Sequence, residues 1–154
     1  MPRPGAKDYQ LIKRFEDRIE GFNRRSLSFE DLQSICEHND IEVVLEEMKE
    51  AHGVALWIGD QAFIYINRLL NESMRVFNLG HEFTHITDQV IDTQMFLSTG
   101  KLWLKSKQER QANIIGAICL MPDCEIEGLT VDQISTAYGI PIKLAEFRCG
   151  LLRD

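Results

Sequence analysis

Between Asp8 and Phe22, Tyr9, Leu11, Ile12, Phe15 and Ile19 recur mostly at helical spacing, which predicts an amphipathic helix ending at Gly21 and Asn23. Ser28, with Asp31 three residues on, opens a second helix that stops near His38 to Asp40. The pattern then changes. Ile41–Met48, Gly53–Ile58 and Ala62–Asn67 are short runs rich in β-branched and aromatic residues, with Gly59-Asp60 at hairpin distance between the last two. They predict a small antiparallel or mixed sheet, although Glu42–Lys49 reads equally well as a helix. Helical spacing returns in Met74–Val90, Lys107–Met121, Val131–Tyr138 and Ile142–Leu152. The long connection between the first two of these carries Met95, Phe96, Leu97, Trp103 and Leu104, suited to a lid or a satellite core. The fold class that follows is α+β.

The stretch GHEFTHITD, residues 80–88, sits within the third of these helices. Residues four apart share a helical face, so His81 and His85 can direct two imidazoles at one ion. Zinc accepts imidazole nitrogens and prefers four tetrahedral ligands, while Glu82, one step round the helix, can act as a general base for water. The bland alternative is a solvated helix face that collected these residues by accident. Two features oppose it: the chain has only four histidines, and a stripe of Val76, Leu79, Phe83, Ile86 and Val90 predicts a core-facing side beside Phe77, Gly80, His81, Thr84, His85 and Asp88.

A third ligand has three candidates, His52, Asp88 and Glu109. Glu109 also fits a capping box opened by Ser106. Its stripe, however, continues through Ala112, Asn113 and Gly116, small residues that permit close approach of the zinc helix, and this ranks Glu109 first. Asp88 suits a carboxylate that orients a histidine, and His38 and His52 suit surface or turn positions. For stabilising a developing oxyanion, Tyr65, Arg75 and Tyr138 stay open. An extended substrate would pair with a sheet edge, and Gln61–Asn67, which leads into the zinc helix, is the segment nominated; an internal strand is the equal alternative.

Composition changes this picture little. The chain of 154 residues is 44% apolar and 27% charged, the make-up of an ordinary globular protein. Seventeen basic against 24 acidic residues give a net charge of −7, so no overall positive field attracts nucleic acid. Thr130–Gln133 is a capping box, and Gly139 and Pro141 separate two short helices in a helix-turn-helix outline, but the second offers only Lys143 and Arg148 before Arg153. A packing or partner-docking role suits this tail better than DNA. Cys36, Cys119, Cys124 and Cys149 lack C-x-x-C spacing and read as reduced thiols. The N-terminus has no apolar signal core and no apolar run spans a bilayer, so a cytoplasmic location is expected. Residues 1–7 are expected to be a flexible terminus and residues 8–154 a single domain.

Three segments taken together resemble a known family. IYIN (Ile64–Asn67), RVFNLGHEFTHI (Arg75–Ile86) and ERQANIIGAICLMP (Glu109–Pro122) are similar to the ImmA/IrrE zinc metallopeptidases, and the tail TVDQISTAYGIPIKLAEFRCGLL resembles that family's C-terminal segment. Asn78 and Gly80 stand where the family often has Thr and Ala, and Ile115-Gly116 replaces its usual Phe-Ala. The resemblance implies a zincin-like fold, a Zn2+ cofactor held by His81, His85 and Glu109, and Glu82 as general base. It also implies a site-specific peptidase acting on a protein partner such as a transcriptional repressor, in phage or mobile-element regulation, stress response or toxin-antitoxin pairs. A non-catalytic zinc-binding sensor or antitoxin is the second reading, and a DNA-binding module the third.

Overall fold

A computed structural model describes residues 5–88 and 106–152. Helix α1 spans Ala6–Arg18 and starts two residues earlier than the apolar spacing places it, because Asp8 Oδ2 accepts a hydrogen bond from the Gly5 amide at 3.0 Å. It also ends earlier. Ile19 is extended, and Gly21 (φ +84°) and Asn23 (φ +59°) reverse the chain so that Ile19 and Phe22 turn into the core. Helix α2, Phe29–His38, opens as expected: the Ser28 hydroxyl accepts from the Asp31 amide, and Asp31 accepts from the Ser28 amide.

The ambiguous segment forms a strand. Strands β1 (Ile41–Glu46), β2 (Gly53–Ile58) and β3 (Gln61–Asn67) make one sheet in the order β1-β3-β2. β2 and β3 form the expected hairpin, with Gly59 at φ +62° in the turn, but β1 runs parallel to β3, so the sheet is mixed. The expectation that Gln61–Asn67 is a substrate-binding edge is therefore wrong: β3 is central and both of its sides are already paired. The reason is the crossover over residues 47–52, which carries the chain from one edge of β3 to the other. Asn67, nearly buried, holds that crossover, its Nδ2 donating to the carbonyls of Met48 (2.9 Å) and Ala51 (3.2 Å). Along β3, Ala62, Ile64 and Ile66 point into the core, and Phe63 and Tyr65 stack on the other face.

Helix α3, Glu72–Asp88, begins where Asn71 Oδ1 accepts from the Met74 amide at 2.9 Å, and its Val76, Leu79 and Phe83 are buried as their stripe predicts. Helix α4, Ser106–Leu120, is the central element, buried almost continuously from Ile114 to Leu120. A short helix α5, Asp123–Ile126, follows Pro122 and was not anticipated. Helices α6 (Val131–Tyr138) and α7 (Ile142–Cys149) keep their predicted starts, but α7 stops at Gly150, short of Leu152. Thr130 caps α6 with Gln133 reciprocating, and Gly139 ends it at φ +66°.

The architecture is mixed α+β, consistent with a zincin-like fold: the three-stranded sheet packs against α2 and α3, and α4 lies across α3. Val90, Met95, Phe96, Leu97, Trp103, Leu104 and Arg153 lie outside the described residues. Among the described residues, no helix is long and apolar enough to cross a membrane.

Candidate metal centre

The site exists because two helices approach more closely than ordinary side chains allow. A Cβ on Gly116 of α4 would lie 2.4 Å from the Phe77 carbonyl oxygen of α3, and one on Gly80 would lie 3.0 Å from the Gly116 Cα. This contact places Glu109, two turns before Gly116, opposite the two histidines of α3.

His81 Nε2 and His85 Nε2 are 3.0 Å apart, and the Glu109 carboxylate lies 3.3 Å from the first and 3.1 Å from the second. Two imidazole nitrogens and a carboxylate converge on one point here, an arrangement that a shared proton or a metal cation can satisfy. Tetrahedral ligands at about 2.0–2.1 Å from zinc stand about 3.3–3.4 Å from one another, which this triangle approximates. The donor set, two imidazoles and one carboxylate, also suits zinc, and the three residues together could hold a metal ion.

Each donor is held. His85 is buried at 3% exposure, and its ring lies nearly perpendicular to that of His81. His81 Nδ1 contacts Asn113 Oδ1 at 2.8 Å. An amide oxygen there accepts the Nδ1 proton, which leaves the Nε2 lone pair free to face a metal. The His81 and His85 nitrogens set against it hold the Glu109 carboxyl well below the usual carboxylate range, against the opposing effect of partial burial. Glu82 is buried, with Oε1 3.9 Å from His81 Nε2. Burial pushes its carboxyl above the ordinary value, while His81 and His85 pull it back.

Among the expected supporting residues, several lie elsewhere. Asp88 does not orient a histidine; it binds Arg14 and Arg18 of α1, both at 2.9 Å, and so ties the end of α3 to α1. The histidine-orienting role falls to Asn113, whose signal in the sequence was its place one turn after Glu109. His52 is exposed, and its carbonyl accepts from the Asn67 amide; His38 Nδ1 stays with the Ser34 carbonyl of its own helix. Arg75 is engaged with the carbonyls of Arg68 and Leu70, and Tyr138 donates to Glu125 Oε1 at 2.9 Å, so both are committed away from the metal triangle. Arg148, counted as a cation for DNA, is fully buried, with Nε on the Met121 carbonyl and Nη2 on Asp123 Oδ1. That leaves Lys143 as the cation that α7 exposes, too little for phosphate neutralisation. The four cysteines are free thiols, and none belongs to the metal-binding group.

The chain is similar in fold to a Mycobacterium tuberculosis transcriptional regulator, with a TM-score of 0.65 at 15% identity, over 99% of this chain and 48% of that one. It thus spans about half the length of that structure. No curated protein matches the chain. Residues 36–149, which run from the end of α2 through α7 and include every residue of the metal triangle, match the Peptidase M78 family, described as the IrrE N-terminal-like domain, and the chain belongs to that family.

Proposed function

We propose that the protein is a zinc-dependent endopeptidase that cuts a protein partner, such as a transcriptional repressor. The observation that carries this reading is the triangle of His81 Nε2, His85 Nε2 and Glu109 carboxylate, with the buried Glu82 carboxylate beside it. In this reading the triangle holds the ion, and Asn113 keeps His81 in the tautomer that presents Nε2. Zinc, when bound, supplies Lewis acidity that lowers the pKa of water to about 7 and polarises a peptide carbonyl. Glu82 accepts the proton of the attacking water and passes it to the departing amine nitrogen. Its burial raises its basicity for the first of these transfers and keeps competing water from the carboxylate.

The substrate strand then belongs on β2. β2 is a sheet edge, and at its first residue, Gly53, a Cβ would lie 3.3 Å from Glu82 Cγ, so main-chain groups of β2 run directly past the proposed base.

Glu82→Gln tests the assignment. The variant should bind zinc as the parent does, by metal analysis, and lose cleavage of a repressor that the parent cuts by about 10²–10⁴-fold. Cleavage at the parental rate by Glu82→Gln refutes the general-base role.

A further inference from the structure

A groove of about 390 Å³ opens beside the metal triangle, between α3, α4 and α7. Met74 and Phe77 of α3 and Leu144 and Phe147 of α7 line it, all half-buried, and Asn113, Pro141 and Lys143 complete the lining. Large apolar side chains left half-open around one concavity are unusual on a solvated surface and mark a place where a ligand completes the packing. Ile142, 49% exposed, lies on the same helix next to Lys143.

Two residues of the groove border His81 of the metal triangle. The Phe77 ring centroid is 6.1 Å from that of His81, one helical turn along α3. Asn113 uses its Oδ1 on His81 Nδ1, while its Nδ2 makes no hydrogen bond among the described residues. That amide hydrogen is therefore available to an acceptor lying in the groove. Lys143 likewise forms no ion pair or hydrogen bond among the described residues, and it is the charged residue of the lining. An apolar floor with two free donors and no carboxylate calls for a ligand with a bulky apolar group, a carbonyl for Asn113 and a negative charge for Lys143.

We infer that this groove is the side-chain pocket of the peptidase, and that it takes a bulky apolar residue of the substrate with an acidic residue next to it. The apolar side chain fills the space between Phe77 and Phe147, its own carbonyl accepts from Asn113 Nδ2, and the neighbouring carboxylate meets Lys143 Nζ. This specificity rests on the peptidase reading above but binds the peptide without requiring turnover.

The experiment is an NMR titration of the zinc-loaded protein with three capped peptides, acetyl-Ala-Phe-Asp-Ala-amide, its Phe→Ala analogue and its Asp→Lys analogue, watching Met74, Leu144 and Phe147. The Phe-Asp peptide should give saturable shifts at these residues, and the Ala-Asp peptide should bind at least about tenfold more weakly. The Phe-Lys peptide should lose up to about fivefold, the size of an exposed ion pair. Lys143→Glu, a change at an exposed position, should reverse the order of the Asp and Lys peptides while leaving zinc binding intact. Shifts that bypass the groove, equal binding of the Phe-Asp and Ala-Asp peptides, or an unchanged order in Lys143→Glu overturn the proposal. The peptidase reading fails separately: saturation of the groove with no cut peptide under mass spectrometry supports the pocket and counts against turnover, whereas cutting indifferent to Phe overturns the pocket and leaves the peptidase standing.

Discussion

His81 shows how much of this site depends on residues that never touch the ion. Its Nε2 faces His85 and Glu109 while its Nδ1 is occupied by Asn113. Asn113→Ala should therefore weaken zinc binding by about 10–100-fold, measured by competition with a chromophoric chelator, while the protein stays folded. Unchanged affinity would mean that packing alone orients the ring. The convergence of His81, His85 and Glu109 was legible in the sequence, the histidines from their spacing of four and Glu109 from the small-residue stripe that follows it. Asn113 was visible only as a small residue on the right stripe, since a hydrogen bond across two helices leaves no local pattern. Asp88 was misread for the same reason: its position one turn past His85 fits a histidine partner, but the arginines that claim it, Arg14 and Arg18, lie some seventy positions away in sequence.

At the level of elements, the distance between α3 and α4 sets the distance between the histidines and Glu109. Gly116 is the contact point, and a methyl group there meets the Phe77 carbonyl, a backbone atom that cannot rotate away. Gly116→Ala should destabilise the fold by about 1–3 kcal/mol in urea unfolding and also lower zinc affinity, because the helices must move apart. A stability loss without any change in affinity would show that the triangle tolerates the shift. Helices with caps were predictable: α2 and α6 begin where Ser28 and Thr130 place them. Strand order was not. Alternation along Gln61–Asn67 reveals which side chains face the core, yet the hydrogen-bonding neighbours of β3 depend on the crossover that Asn67 holds from a distance.

Across the whole molecule, an ion held by the triangle would join segments that the chain keeps apart, α3 and the start of α4. A ligand that binds only the folded state stabilises it in proportion to its saturation. Thermal unfolding in a zinc buffer at about a hundredfold over Kd should occur about 5–10 °C above that in excess EDTA. His85→Ala should abolish this difference; a zinc-induced rise that survives in His85→Ala would place the ion somewhere else. The net charge of −7 and the burial of Arg148 both argue against a nucleic-acid partner.

X-ray absorption at the zinc edge of the one-to-one complex reads directly which atoms surround the metal. Two imidazole nitrogens and further oxygen ligands, all at about 2.0–2.1 Å, are the predicted first shell. A sulfur at about 2.3 Å, contributed by any of the four cysteines, or a protein that takes up no stoichiometric zinc, would contradict it.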